Sequence, residues 1–294
     1  MNFSIITPSF RQSAWLKLCV ASIADQAGVT LEHIVQDSCS EDDTKNWLPT
    51  DPRVKAFIEK DSGMYDGVNR GFRRAQGDIL AYLNCDEQYL PGALKAVHDF
   101  FEANPNVEVL FTDCIVIDSD GNYLCHRPSL LPGKSSMWIR FPVLTCGIFI
   151  RRSVVQERGI LFNTKWRDLG DYWWVRELVL RKVPMAVLPE LTSIFTDTGD
   201  NMNLKANAQR EAKEKWAVVP RWIKLLQPFF IAQTRVRLAL RPASQRQPFD
   251  YSIFTTGSPS RRVVFHAEHP TTFWKGRLLQ NPVAAGSVES KHQH

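Results

Sequence analysis

The first half of the chain alternates short apolar runs with stretches in which apolar residues return every third or fourth position. Residues 3–7, 31–37, 53–59, 79–83, 107–113 and 146–152 read as strands. Between them, Trp15, Leu18, Cys19 and Ile23, then Val68, Phe72 and Ala75, fall at helical spacing, with Gly77-Asp78 as a stop. Residues 91–103 and 171–182 predict two more helices, the second with a stripe of Trp174, Val175, Leu178 and Val179. Asp120-Gly121 marks a hairpin. Strands alternating with helices predict an α/β fold: a mostly parallel central sheet, helices on both faces, and a small antiparallel part.

Beyond residue 204 the period stays helical but the composition turns basic and aromatic, broken at Pro220 and Pro228. Formal charge makes the boundary sharper: residues 1–203 carry −5 and residues 204–294 carry +10. Two regions are therefore expected, a first domain over 1–203 and a basic, aromatic, helical extension over 204–294, its last residues frayed. The 294 residues, 44% hydrophobic and 23% charged, suffice for a full core. No apolar run reaches the roughly 18 residues of a spanning helix, and residues 1–10 read as a strand and turn, not a leader. The six cysteines are scattered without a C-x-x-C pair, which argues against a zinc cage or disulfide framework. A cytoplasmic protein is expected, with the tail as a candidate contact to the cytoplasmic face of the membrane.

In open α/β sheets ligands bind beyond the carboxyl ends of the strands. Three such ends are polar here: Thr7-Pro8, Asp37, and Asn84 to Glu87. Adjacent acids at a strand end suit Mg2+ or Mn2+, which take oxygen ligands and bridge carboxylate to phosphate. A solvated turn explains the same acids without any ligand. Neither G-x-G-x-x-G nor G-x-x-x-x-G-K-[ST] occurs, so a bound phosphate would need another holder.

The segments "SIITPSF", "EHIVQDSCSEDDT", "EKDSGMYDGVNRGFRRAQGDILAYLNCDE" and "GDYWW" together resemble, in order and spacing, the bacterial branch of the family 2 glycosyltransferases with the GT-A fold. The signature of that branch reads D-x-G-x-Y-D-A-x-N-x-G, then G-D, then L-N-x-D-D, and the likeness covers residues 1–200. The resemblance implies an inverting transfer of a sugar from a nucleotide diphosphate, a UDP-sugar by preference, to a glycan or lipid-linked acceptor, with Mg2+ or Mn2+ as cofactor. It implies donor contacts at Thr7, Pro8, Asp37, Asp61, Gly63, Asn69, Asn84 and Asp86, metal ligands at Asp86 and Glu87, and Asp171 as general base. Two positions depart from the signature: Glu87 stands where the second Asp is usual, and Gly67 where Ala is.

Several residues keep two readings. Asp171 also suits a helix N-cap, and Asp168 is a rival base. Trp173 and Trp174 suit an acceptor pocket or plain packing; Arg127, Arg151 and Arg152 suit acceptor phosphate or solvent. Gly63, Gly67 and Gly71 recur every fourth position, unfavourable inside a helix unless a ligand or a strand comes close. The basic aromatics of residues 213–241 fit either anionic lipid or packing on the domain, while no motif points to nucleic acid. The rivals to a transferase are a sugar-phosphate nucleotidylyltransferase, which lacks its Gly-rich loop here, and a nucleotide-binding scaffold of a glycan assembly with a degraded metal site.

Overall fold

The computed structural model describes residues 1–199, 206–241 and 247–274. Its first half is a parallel unit: β1 (Asn2–Ser9), α1 (Ser13–Ala24), β2 (Thr30–Asp37), α2 (Thr44–Trp47), β3 (Lys55–Ile58), α3 (Met64–Arg74) and β4 (Ile79–Tyr82), with the strands ordered β3-β2-β1-β4. Residues 3–9 of β1 are all buried, as a central strand covered on both faces requires. Its side chains alternate between two cores. Phe3 and Ile5 pack with Cys19 and Ile23 under α1, whereas Ile6 packs with Val68 and Phe72 under α3.

The register brings the strand ends level. Ser9 lies opposite Asp37, Asp37 opposite Ile58, and Ile6 opposite Tyr82, so β1, β2 and β4 finish at one edge. Two of the three helix glycines are explained by what lies beneath them. A Cβ on Gly71 would sit 2.5 Å from Cγ2 of Ile6 on β1, and one on Gly67 would sit 3.0 Å from Oδ2 of Asp61. The unfavourable glycines therefore let α3 settle onto the strand and loop that border the crevice.

The second half adds β5 (Glu87–Tyr89), α4 (Ala93–Ala103), β6 (Val109–Asp118), β7 (Tyr123–Arg127), β8 (Ile148–Arg151), α5 (Arg152–Gln156), α6 (Gly170–Leu180) and β9 (Met185–Asp197). The sheet continues β4-β8-β6-β9-β5, with β7 paired to β6 in the expected hairpin. β8 is antiparallel to both neighbours, and β5 is antiparallel to β9. β9 has no counterpart among the expected strands. Its pairing with β6 slips between Leu188 and Leu191, so Pro189 and Glu190 bulge out and break the apolar run.

The extension is not helical throughout. α7 (Ala206–Ala217), α8 (Arg221–Leu225) and α9 (Gln227–Ala239) are followed by an antiparallel pair, β10 (Phe249–Thr255) and β11 (Ser258–Ala267). The hairpin packs on the domain through Tyr251 and Ile253, which meet Ile115, Ile117 and Ile194. Arg262 from β11 pairs with Asp25, and Arg241, just past α9, pairs with the fully buried Asp113 of β6. The expected boundary at residues 203 and 204, and the final stretch 275–294, lie outside the described residues.

Candidate active site at the strand ends

Each side chain at the crevice is set by the element that delivers it. On β1, Thr7 alternates with Pro8, so the Thr7 side chain turns toward α1: it is fully buried, its hydroxyl 2.9 Å from Nε2 of His33 and 3.6 Å from Sγ of Cys19. Burial pushes His33 down to about 3, so the ring is neutral. Thr7 can meet a ligand only through its backbone. Pro8 lies under α3 at the position facing Gly67, and its carbonyl accepts from the Cys85 thiol.

Asp37 ends β2 and is almost fully buried. Its two oxygens accept from the N–H and the hydroxyl of Ser40, both at 2.7 Å, which folds the following loop back over the strand end. Asp61 borders the same loop: its Oδ1 accepts from Ser38 Oγ and from the Gly63 N–H, each at 3.0 Å. Burial raises its carboxyl above the ordinary range against those bonds. Gly63, with φ of 136°, turns the chain into α3 in a conformation that favours glycine.

Asn69 does not face the crevice. Its Nδ2 donates to the Phe162 carbonyl and its Oδ1 accepts from the Phe162 N–H, both at 2.9 Å, and the residue is buried. Both ends of the amide are thus spent on backbone, and Asn69 rivets the segment before α6 onto α3.

The acidic tip is a tight turn. The Glu87 N–H donates to the Asn84 carbonyl at 3.1 Å, and Glu87 Oε2 accepts from the Asn84 N–H at 2.8 Å. Glu87 is thereby folded inward and buried, and Asp86 is the acid of the pair that keeps exposed surface. Burial raises both carboxyls, and Glu87 is raised further by the charge of Asp86 and then by that of Asp171. Glu87 Oε1 and Asn84 Oδ1 are buried without a hydrogen-bond partner. Unpaired oxygens beside two acids that repel each other fit a hard divalent cation, with Asp86 as its open ligand. Among the described residues no three His, Cys, Asp or Glu side chains gather to hold a metal, so this chain would supply few ligands and leave the rest to phosphate and water.

Asp171 lies in the first turn of α6. Its N–H donates to the Tyr65 hydroxyl at 3.1 Å, and its Oδ1 accepts from the next N–H, Tyr172, at 2.7 Å. It is not the N-cap, which is Leu169. The turn leading into α6 is held from α7: Glu211, 1% exposed, accepts the N–H groups of Arg167, Asp168 and Leu169 at 2.8 to 3.1 Å. Asp168 is bonded to Asn207 of the same helix. Neither Asn207 nor Glu211 stood out in the sequence, where only the charge and aromaticity of the extension did; their spacing of four residues was the available signal.

Trp174 is core, stacked on Phe162 with ring centres 4.5 Å apart, while Trp173 stacks on Trp166 at 4.9 Å and keeps some exposure. Two of the three arginines lie at the wrong end. Arg151 pairs in register with Ile79, the start of β4, and spends its guanidinium on the Val107 and Phe101 carbonyls; Arg152 begins the helix after it. Arg127 lies on β7 opposite Cys114.

A parallel α/β unit whose strand ends gather an acidic turn, joined to a mixed second half that brings another acid across from it, is the GT-A arrangement of nucleotide-sugar transferases. The Glycosyl transferase family 2 sequence profile matches residues 4–159, more than half the chain, and the chain belongs to that family. It is 33% identical over 127 residues to the GalNAc(5)-diNAcBac-PP-undecaprenol beta-1,3-glucosyltransferase of Campylobacter jejuni, covering 41% of this chain and 40% of that protein. Against the putative teichuronic acid biosynthesis glycosyltransferase TuaG of Bacillus subtilis the identity is 29% over 136 residues, 44% of this chain and 54% of the relative. The match thus spans about half the length of these relatives. Among solved structures, S. aureus TarS 1-349 in complex with UDP-GlcNAc superposes with a TM-score of 0.60 at 17% identity, over 73% of this chain and 64% of that one. The mannosyltransferase PcManGT from Pyrobaculum calidifontis, in complex with GDP-Man and Mn2+, gives 0.51 at 16% identity over 82% and 74%.

Proposed function

We propose that this chain transfers a sugar from a nucleoside-diphosphate donor, a UDP-sugar by preference, to an acceptor hydroxyl with inversion at the anomeric carbon, in the synthesis of a polysaccharide or a lipid-linked glycan. The observation that carries the reading is a packed link between the two acids. Tyr65 accepts the N–H of Asp171 at 3.1 Å, and Phe162 stacks on Tyr65 at 4.9 Å and meets Tyr82, the last residue of β4 before the acidic turn, edge to face at 5.5 Å; we read the acidic turn and the α6 carboxylate as bordering one space.

In that space the roles divide. The loops closed by Asp37 and Asp61 frame the nucleotide, and Asp86 faces the diphosphate. A divalent cation held at Asp86 would stabilise the charge left on the diphosphate. Asp171, held by Tyr65, takes the proton of the acceptor hydroxyl; the oxygen bonds to the anomeric carbon from the opposite face as the carbon–phosphate oxygen bond breaks and the nucleoside diphosphate leaves. The relatives named for undecaprenol-linked and teichuronic acid glycans support a bacterial glycan as acceptor.

The extension supports a membrane contact. Among the described residues no helix is long and apolar enough to cross a bilayer. Ile223 and Phe230 pack into the core, yet Trp222, Leu225, Phe229, Val236 and Leu240 are exposed, Leu225 and Leu240 by 80% each, between Arg221, Lys224, Arg235 and Arg237. An exposed apolar face rimmed with cations suits an anionic lipid surface on the cytoplasmic side. Sedimentation with phosphatidylglycerol vesicles, and none with phosphatidylcholine, is the expected result; equal sedimentation with neither removes the contact.

The test of the function is UDP release from a panel of UDP-sugars with and without Mn2+, alongside the Asp86→Ala variant. Metal-dependent release that the variant loses supports the reading. A second reading, a nucleotide-binding scaffold, draws on the inward turn of Glu87; UDP and Mn2+ that raise the melting temperature while no donor loses its sugar would select it.

A further inference from the structure

One face of α7 meets the start of α6. Asn207, Glu211 and Lys215 are spaced by four residues and so share one face of α7. The first two are fastened to the start of α6, Asn207 to Asp168 and Glu211 to three backbone N–H groups. The third, one turn further on, stretches its ammonium over the ring of Tyr172, 4.4 Å from the ring centre, next to Asp171 in sequence. Lys215 is half-buried, and no carboxylate among the described residues lies within ion-pair distance of it.

Two polar atoms at the start of α6 lack partners. The Tyr172 hydroxyl and the Trp173 indole N–H are both buried without a hydrogen-bond partner, and Tyr172 is 2% exposed. Tyr172 and Trp173 meet edge to face at 5.2 Å, and Trp166 stacks on Trp173. Lys215 lies on the Tyr172 ring and Trp173 follows in the helix; an ammonium, a phenol and an indole N–H that can only donate can each give a hydrogen bond to an oxygen-rich partner. Burial lowers the lysine and the Asp171 charge raises it in turn.

We infer that Lys215, with the Tyr172 hydroxyl and the Trp173 indole N–H, forms an anion subsite beside Asp171 that holds a phosphate group of the acceptor. The inference rests on the transferase reading for the word acceptor, and on geometry alone for the anion. A phosphate bound there stands next to the carboxylate that takes the acceptor proton, so the subsite selects acceptors whose reacting hydroxyl lies near a phosphate. α7 is then a specificity element and not only a strap.

Inorganic phosphate is the probe, titrated into the full chain by tryptophan fluorescence, since Trp173 and Trp166 adjoin the subsite. The titration is run alone and again with saturating UDP and Mn2+, which fill the donor side. The expected result is saturable binding in both, weakened at least tenfold in Lys215→Met and retained in Lys215→Arg, with UDP affinity unchanged within twofold and the melting temperature of both variants like that of the parent chain. Phosphate binding unaffected by Lys215→Met, or absent from the parent chain, overturns the subsite. A loss of UDP affinity matching the loss for phosphate assigns the lysine to the donor diphosphate and overturns the acceptor reading. Should the parent chain fail to bind UDP, the transferase reading falls, while the titration without UDP still decides the anion subsite.

Discussion

The hydroxyl of Tyr65 accepts the backbone N–H of Asp171 at 3.1 Å, so α3 holds the first turn of α6, which carries the proposed base. The ring reaches there because residue 170 is glycine: a Cβ would lie 2.4 Å from Cε2 of Tyr65. The paired motifs "YD" and "GD", a hundred residues apart, are thus one contact. Gly170→Ala is expected to destabilise the fold by about 1–3 kcal/mol through overpacking, read as a lower melting temperature. Tyr65→Phe leaves the ring and costs about 1 kcal/mol for the lost bond. An alanine variant as stable as the parent chain would contradict the close fit.

Asp171→Asn keeps the size and loses the base. Transfer to acceptor is expected to fall by ~10^2 to 10^4 while UDP affinity stays the same. Asp168→Asn, whose partner is Asn207, is expected to weaken the docking of α7 with a smaller loss of rate. Equal rates in Asp171→Asn and the parent chain would move the base elsewhere.

Asn69 separates packing from binding. Asn69→Ala leaves the buried N–H and carbonyl of Phe162 unpaired, at a cost of about 2 kcal/mol or more. Urea unfolding is expected to shift to a lower midpoint, with UDP affinity unchanged under folding conditions. A variant of normal stability that has lost UDP would restore the donor contact.

Docking of α7 carries a pH dependence. Burial alone would raise the carboxyl of Glu211, but the backbone bonds from Arg167, Leu169 and Asp168 outweigh it and hold it below its ordinary value. A carboxyl lowered in the folded chain contributes stability that is complete above its unfolded pKa, about 4.3. That contribution is lost as pH falls through the lower, folded value. Melting temperatures of the parent chain and Glu211→Gln are expected to differ most above pH 5 and to converge in acid. A difference that persists unchanged to pH 3 would contradict the linkage.

The parallel half was legible because its elements are locally consistent: apolar runs of strand length, amphipathic helices between them, and polar residues at the strand ends. What escaped was non-local. β9 is hidden by its bulge at Pro189, and the hairpin of β10 and β11 by the basic composition around it. Which way Asn69 and Thr7 point depends on partners 93 and 26 residues away, Phe162 and His33, that no local spacing reveals. The contribution of α7 was masked for the same reason, since Glu211 and Lys215 read as two more charges in a charged tail until their targets on α6 are known.

The central claim is that Asp86 and Asp171 face one reaction space with the cation on the Asp86 side. Anomalous diffraction from crystals grown with UDP and Mn2+ tests it directly. A manganese peak in contact with the Asp86 carboxylate and the UDP phosphates, inside the cavity that Asp171 also lines, is the predicted result. Manganese bound away from Asp86, or UDP in a cavity closed off from Asp171, would contradict it.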